Sequence, residues 1–453
     1  MKHNPFFNQK ATGMEERPKK KMKLSIQERS WILYDVANSS FILILVTTVM
    51  PIFFKDVASK GVPSSVSTSY WGFAVSLSSL ILAVMAPILG VLADYRQMKK
   101  RFFTGFLVVG IGLTLVLMII DEGDWFKCLF LFVAAKIAYS GTLLFYDAFL
   151  VDVTTKDRMD RISSAGFAWG YIGGTVPFLA VIGIIFMTIP TEGQASVSTV
   201  SVKAAFLIVA LWWGVFSIPM LRHVRQVHYL PPSDAPFRES FLRLLTTLRE
   251  IRKYKNAFLF LGAYFFYIDG VDTIITMATA YGRDIGLSVG MLILVILMIQ
   301  IVAFPFALLY GHLAERFSTK RLLSAGIFIY MVITLLSFFL PMLPTANQRI
   351  AMFWVLAFLV ASSQGGIQAL SRSYFGKLIP TARSAEFFGF YNVFGKFATI
   401  TGPFLMGLVS RLTGHSRYGS LSLLILFAFG GWILTKVEPT DPQAASPGGK
   451  CLI

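Results

Sequence analysis

The sequence is poor in charged residues and in cysteine. Only 14% of its 453 residues are charged, whereas charged residues make up about a quarter of an average soluble domain. The two cysteines, Cys128 and Cys451, provide neither a disulfide framework nor the paired spacing of a zinc site. These scarcities exclude an ordinary soluble domain, a disulfide-rich secreted scaffold and a cysteine-ligated metal module.

Motifs of ATP-driven proteins and of metalloproteases are absent as well. The sequence has no Gly-x-x-x-x-Gly-Lys-Ser/Thr box, so we expect no ATP binding. It has no His-Glu-x-x-His pair, and its five histidines fall in predicted tails, loops or span ends. We therefore predict a protein that is not an enzyme and that uses no cofactor.

Long apolar runs are what the sequence has instead. Hydrophobic residues make up 55% of the chain, and the mean hydropathy is +0.66. Each run approaches the roughly 20 residues that cross about 30 Å of hydrocarbon as a helix. Residues 287–309 show none of the alternation that a membrane barrel requires. We predict an all-α membrane protein with twelve spans, at 31–55, 70–93, 102–120, 126–150, 163–188, 202–222, 257–281, 288–312, 321–340, 349–370, 385–410 and 417–436.

The basic residues indicate the orientation of these spans. The net charge is +17, and 31 Lys and Arg fall in the two tails and the alternate loops that face the same side, against 8 in the opposite loops. Because cytoplasmic loops carry the excess of Lys and Arg, we predict a cell-membrane protein with both termini in the cytoplasm. The charges lie between apolar runs and form no single patch. We therefore expect the lipid bilayer as a partner and no nucleic acid.

The longest connection, residues 223–256, divides the spans into six and six. It is basic and has an amphipathic stretch near Phe241 to Ile251, which favours a cytoplasmic linker lying on the inner leaflet. The predicted domains are a basic tail at 1–30, an N-terminal six-helix bundle at 31–222, this linker, a C-terminal six-helix bundle at 257–436 and a tail at 437–453.

A short motif occurs once in each half. Gly-Val-Leu-Ala-Asp begins at Gly90 after span 2, and Gly-His-Leu-Ala-Glu begins at Gly311 after span 8, 221 residues later. A second matching pair opens spans 5 and 11. Two pairs of segments at one period indicate duplicated halves, which is the architecture of alternating-access carriers.

The repeated motif predicts a gate on the cytoplasmic side. Gly90 allows helices to approach closely, and Asp94 can accept from a helix N-terminus or pair with an arginine across the two halves. Such a contact can hold one face closed and release it when the halves rock. The alternative is a plain positively charged loop, with its basic run at the cytoplasmic surface. The predicted gate residues are Gly90, Asp94, Arg96, Lys100, Gly311, Glu315 and Arg316.

These motifs resemble those of a known family. The segment from Gly90 is similar to the signature loop of the major facilitator superfamily. Further segments resemble the vacuole-effluxer-like family within it, in a bacterial-type member. They are Trp31 to Ser39, Phe145 to Leu150, Arg161 to Gly174, Tyr267 to Thr273, Gly365 to Ser373 and Phe387 to Lys396. The resemblance implies two pseudo-symmetric six-helix bundles, a cavity lined by spans 1, 4, 7 and 10, and amino-acid export. Asp147 departs from the family pattern, which more usually has Asn there.

Polar residues inside the predicted spans are the candidate transport residues. A charge at mid-bilayer costs about 3 kcal/mol on insertion scales, so such residues usually serve a function. Asp269 and Asp272 lie one turn apart, and two neighbouring carboxylates suit proton or sodium coupling. For each residue the alternative is a structural ion pair or hydrogen bond between helices. The candidates are Asp35, Asn38, Lys136, Tyr139, Asp147, Asp269, Asp272, Thr273, Gln364, Gln368, Asn392 and Lys396.

Together these features predict a secondary transporter that works by alternating access. A cavity with both lysine and aspartate suits a small zwitterion such as an amino acid. We expect an ion gradient, of protons rather than sodium, to drive its transport. Export rests on the family resemblance. The alternatives are a sugar carrier, a lysolipid carrier, or a receptor or scaffold of the same shape that transports nothing. We expect a monomer.

Overall fold

The computed structural model describes residues 23–188, 199–231, 246, 251–284 and 287–438. Over these residues the chain forms twelve long helices, each of which overlaps one predicted span. The helices are α1 (Ile26–Ala58), α2 (Ser64–Ala93), α3 (Met98–Val116), α4 (Trp125–Ala148), α5 (Met159–Thr188), α6 (Thr199–His223), α7 (Lys255–Asp284), α8 (Val289–Leu313), α9 (Thr319–Phe339), α10 (Ala346–Leu378), α11 (Ser384–Thr413) and α12 (Ser416–Lys436).

Eleven of these described helices are long and apolar enough to cross a membrane. The twelfth, α11, has 30 residues and packs against α2, α7 and α12. Its middle carries Asn392 and Lys396, two residues of low hydropathy. The prediction of an all-α membrane protein with two sets of six helices is therefore confirmed in its main features.

Several helices extend beyond the predicted spans. Helix α10 was predicted to end at residue 370, but it continues to Leu378. Helix α1 begins at a capping box, in which Glu28 N donates to Ser25 Oγ and Ser25 N donates to Glu28 Oε2. Within α1, Phe41–Val49 is π-helical, a local widening that often accompanies functional sites.

Close helix crossings join the two halves of the chain. Helix α2 crosses α11 where a Cβ on Gly90 would overlap the carbonyl oxygen of Ala385 and a Cβ on Gly389 would lie 2.8 Å from Ala86 O. Helix α8 crosses α5 where a Cβ on Gly311 would lie 2.8 Å from Ser164 Cβ. Small residues therefore let the halves touch at both crossings.

Part of the predicted linker and tails lies outside the described residues. This holds for residues 1–22, for 439–453 and for the amphipathic stretch apart from residues 246 and 251. Residues 224–231, which follow α6, run along the loop between α2 and α3. Leu230 N donates to Asp94 O over 2.8 Å, and Gln226 Nε2 donates to Ala93 O over 3.1 Å.

Candidate transport site and gate

A cavity of about 890 Å³ lies between the halves. Its wall includes side chains of α1, α4, α5, α7, α10 and α11, and the π-helical part of α1 contributes Ile42 and Val46. The structure therefore brings together eight of the predicted transport residues. They are Asp35, Asn38, Tyr139, Asp147, Asp272, Gln364, Gln368 and Asn392.

An arginine that the sequence reasoning missed lies at one end of this cavity. Arg372 on α10 is only 3% exposed, and its guanidinium lies 3.3 Å from Asp35 Oδ2 and 3.3 Å from Asp147 Oδ1. It also donates to the hydroxyl and the carbonyl oxygen of Ser163. One cation of the C-terminal half thus bridges two carboxylates of the N-terminal half.

Aromatic rings surround this ion pair. The guanidinium of Arg372 lies 4.5 Å from the ring centre of Phe167 and 4.6 Å from that of Trp31. Trp31 in turn stacks on Tyr146, with ring centres 4.4 Å apart. A Cβ on Gly166 would overlap Asp35 Oδ2, so a larger residue there would displace this carboxylate oxygen from its position beside Arg372. The faces of these rings attract the guanidinium, and they lower the polarity on the side of the pair away from the cavity.

A spacing signal for Arg372 was present in the sequence. Gln364, Gln368 and Arg372 are four residues apart and share one face of α10. Because the predicted span stopped at residue 370, Arg372 was assigned to a cytoplasmic loop, and the continuation of the polar face was not followed.

Two predicted transport residues lie away from the cavity, in contacts between helices. Asp269 is fully buried and accepts from Gly402 N on α11 over 2.7 Å. Thr273 Oγ1 lies 3.5 Å from the same carboxylate. The expectation that Asp269 and Asp272 both face the cavity is thus wrong for Asp269, because only Asp272 lies on the cavity side of α7.

The two predicted lysines also differ from the expectation. Lys136 Nζ donates to Val75 O on α2 over 3.4 Å and is not among the residues lining the cavity. The side chain of Lys396 lies outside the described residues. The described cation that pairs with the cavity carboxylates Asp35 and Asp147 is therefore Arg372 and not Lys136.

The first predicted gate motif joins the loop after α2 to the N-terminus of α11. Asp94 is fully buried, and its two oxygens accept from Ala385 N over 2.9 Å and Glu386 N over 3.0 Å. The structure thus shows the first of the two predicted partners, a helix N-terminus, which favours a negative charge. Burial raises the pKa of Asp94 to about 7, against the opposing effects of Lys99 and the two N–H donors.

The basic run after Asp94 is not wholly at the surface, as had been expected. Lys99 is fully buried; its Nζ lies 2.7 Å from Asp152 Oδ2 and 2.8 Å from Ser384 Oγ on α11. Of the predicted basic gate residues, Lys100 donates to Val224 O, and Arg96 lies over the ring of Tyr229. These two basic side chains therefore contact the segment after α6.

The second copy of the motif makes different contacts. Glu315 lies 3.4 Å from Arg161 on α5, and Arg316 is exposed. A tighter polar cluster forms next to it, around the buried Asp160 on α5. Asp160 accepts from Ser373 Oγ and Thr319 Oγ1 and pairs with Lys377.

The polar contacts between the halves concentrate at one end of the bundle. We call this the basic end; it carries the loops 94–97 and 314–318. The Asp94 contact, the Lys99–Ser384 bond, the Glu315–Arg161 pair and the Asp160 cluster all lie there. On their helices Asp35, Asp147 and Arg372 are the cavity residues nearest this end. Hydrogen bonds and ion pairs therefore hold the halves together between the cavity and the basic end.

Solved structures share this architecture. The chain is similar to FucP, a major facilitator superfamily transporter in an outward conformation, with a TM-score of 0.64 at 16% identity over 92% of this chain and 98% of that one. It is similar to the human organic anion transporter MFSD10, with a TM-score of 0.67 at 12% identity over 90% and 99%. The fold is thus the major facilitator fold.

Sequence relatives narrow this class to one family. The family model described as vacuole effluxer Atg22 like matches residues 26–440. An MFS-type transporter of Bacillus subtilis, YxiO, is 47% identical over 91% of this chain and 94% of its own length. Autophagy-related protein 22 of Coccidioides immitis is 22% identical over 82% and 73%. The chain belongs to the vacuole effluxer Atg22-like family and is a multi-pass membrane transporter of the major facilitator type, as the sequence predicted.

Proposed function

We propose that the chain is an ion-coupled carrier that exports a small zwitterion, such as an amino acid, across the cell membrane by alternating access. The observation that carries this proposal is the ion pair of Arg372 with Asp35 and Asp147 at one end of the cavity. A guanidinium binds a carboxylate through two parallel hydrogen bonds, and an aspartate binds an ammonium group. A zwitterion can therefore exchange partners with both sides of this pair.

The same ion pair supports a mechanism in which substrate binding moves the halves. Arg372 belongs to the C-terminal half and both carboxylates belong to the N-terminal half, so the pair holds the halves together while the cavity is empty. A bound zwitterion would satisfy the separated charges and lower the cost of opening. Differential binding to two conformations is what allows a ligand to shift them.

The distribution of contacts supports a state that is closed towards the cytoplasm. The positive-inside rule assigns the basic end, and with it both termini, to the cytoplasmic side. In this assignment Asp94, Lys99 and Asp160 close the inner gate, and the cavity extends towards the outer side. The gate is released when α2 separates from α11 and α5 from α8.

The coupling ion, the export direction and the monomeric state belong to the same proposal. An ion gradient, of protons in preference to sodium, acts through the two carboxylates of α7, Asp269 and Asp272. Export follows the printed description of the matching family as an effluxer.

A thermal-shift screen of the purified full chain tests the proposal. The probes are the twenty amino acids, a set of monosaccharides and lysophosphatidylcholine. A ligand that binds only the folded protein raises the unfolding free energy by about 2.7 kcal/mol at 100 times its Kd. We expect at least one amino acid to raise Tm in the wild type and not in Arg372→Lys, which loses the planar fork.

Arg411→Lys is the matched control, because Arg411 is exposed near the C-terminal end of α11. The ligand should stabilise this variant as it does the wild type. Stabilisation by a sugar or the lysolipid alone would favour the alternative carriers. Equal stabilisation of Arg372→Lys and wild type by an amino acid would contradict the role of Arg372, and no stabilisation by any probe would favour the scaffold.

A further inference from the structure

A carboxylate in the middle of α7 has one oxygen with no partner. Asp269 lies near the midpoint of this 30-residue helix and is fully buried. Its Oδ1 accepts from Gly402 N over 2.7 Å and is 3.5 Å from Thr273 Oγ1. Its Oδ2 is buried and makes no hydrogen bond to the described residues.

The contact between α7 and α11 is built around this carboxylate. A Cβ on Gly402 would overlap Thr273 Oγ1 and would lie 2.6 Å from Asp269 Oδ1. Glycine at this position therefore lets the main chain of α11 approach the carboxylate closely enough to donate to it. A larger residue at position 402 would displace the Asp269 carboxylate or Thr273 from this contact.

Few charged groups face Asp269. Among the described residues, the charged group that acts on Asp269 is Asp272, one turn further along α7. On α11, Lys396 precedes Gly402 by six residues, and its side chain lies outside the described residues. Helices α10 and α12 turn Ser371 and Phe427 towards α7. The described surroundings thus supply no cation to balance an ionised Asp269.

We propose that Asp269 is the proton-binding site of the transporter and that it holds one proton in this conformation. A charge at bilayer depth is costly unless it is paired, and an O–H bond at Oδ2 removes the charge. The proton leaves when α7 shifts against α11 within the C-terminal half, a local movement in addition to the rocking of the halves, because water then reaches the carboxyl group. This proposal rests on the proposed function, since it places the coupling ion of that carrier.

The site is separate from the cavity. Asp272 faces the cavity and Asp269 faces α11, so the two lie on different sides of one rigid helix. A movement of α7 that follows substrate binding at the cavity face also changes the contact at the α11 face. Substrate and proton can thus be coupled without touching each other.

Infrared spectroscopy of the full chain in detergent tests for the bound proton. We expect the wild-type spectrum at pH 7 to contain the carbonyl stretch of a protonated carboxylic acid that is missing from Asp269→Asn. Asp272→Asn is the matched control and should retain this band. Thr273→Val, which removes the neighbouring hydroxyl, should shift its frequency, and this keeps the assignment testable if Asp269→Asn folds poorly.

A transport measurement tests for coupling. Vesicles containing the wild type and a pH-sensitive dye are given a radiolabelled mixture of the twenty amino acids. We expect protons to move with the label in the wild type, and the number of protons per amino acid to fall at least tenfold in Asp269→Asn.

Two results would overturn the site. One is an unchanged carboxylic acid band in Asp269→Asn together with no frequency shift in Thr273→Val. The other is a wild-type proton-to-amino-acid ratio in Asp269→Asn. If the wild type moves no amino acid at all, the proposed function fails, and the infrared band still decides whether Asp269 holds a proton.

Discussion

Replacing Gly90 by alanine should open the basic end of the transporter. A Cβ at this position would overlap the carbonyl oxygen of Ala385 and would lie 3.0 Å from the carbonyl carbon. These are main-chain atoms, so the clash can be relieved only by moving α2 away from α11. Overpacking of this kind typically costs about 1–3 kcal/mol.

The cost falls on the closed conformation alone. The gain in helix propensity from glycine to alanine, up to about 1 kcal/mol, applies to α2 in either conformation and cancels. A difference of about 1–3 kcal/mol between the two conformations corresponds to a change of about 5- to 150-fold in their ratio. We therefore expect the open fraction to rise at least fivefold.

Thiol accessibility at the other crossing measures this opening. Ser164 on α5 is buried, its Oγ has no hydrogen-bond partner among the described residues, and it packs against Gly311 on α8. Ser164→Cys, made without the two native cysteines, therefore loses no hydrogen bond and reports separation of α5 from α8. In Gly90→Ala the modification rate of this thiol in detergent should rise at least fivefold.

The matched control lies on the helix that Gly90 contacts. A Cβ on Gly407 of α11 would meet no atom within 4 Å, so Gly407→Ala should leave the modification rate unchanged. If the Ser164→Cys thiol is modified at the same rate in Gly90→Ala as in Gly407→Ala, the two crossings do not open together. The description of the halves as rigid bodies would then be refuted.

Three further predictions concern the buried charges. Arg372→Met leaves two carboxylates without their cation and should cost about 3–5 kcal/mol, so Tm should fall by several degrees and recover when both carboxylates are also changed to Asn; an unchanged Tm would contradict the ion pair. Asp94 has a pKa of about 7 when buried and an ordinary value when hydrated. The open fraction should therefore rise from about pH 4 to pH 7 and level off above, because the free energy that favours the closed conformation falls by up to about 1.4 kcal/mol per pH unit. Spin-label distances across the basic end would show this rise. In Asp94→Asn these distances should not change with pH. Asp152→Ala removes the acceptor of two main-chain N–H groups after α6, and hydrogen exchange of those amides should speed up at least tenfold; equal protection would show that other contacts hold this segment.

The fold was predictable because membrane helices are encoded locally. A run of about 20 apolar residues specifies a span without reference to the rest of the chain. The distribution of Lys and Arg and the repeated motif then supplied the topology and the two halves. The role of Asp94 was predictable for the same reason, since one local motif contains both Gly90, which allows the close helix crossing, and Asp94, which accepts the hydrogen bonds.

The candidate site was only partly predictable because helix rotation is set by packing. Asp269 and Asp272 are three residues apart, and the boundary between the cavity face and the α11 face of α7 falls between them. Nothing in the local sequence fixes that boundary. Lys99 is a similar case, because its burial depends on Asp152 and Ser384, which are distant in the sequence.

Two distances measured in one protein test the rocking of the halves most directly. Spin labels on Asp157 and Phe317 report the basic end, and labels on Glu122 and Asn347 report the opposite end; all four residues are exposed. In Gly90→Ala we predict a longer distance between 157 and 317 and a shorter one between 122 and 347. Distances that stay as in the wild type, or that lengthen at both ends, would contradict alternating access.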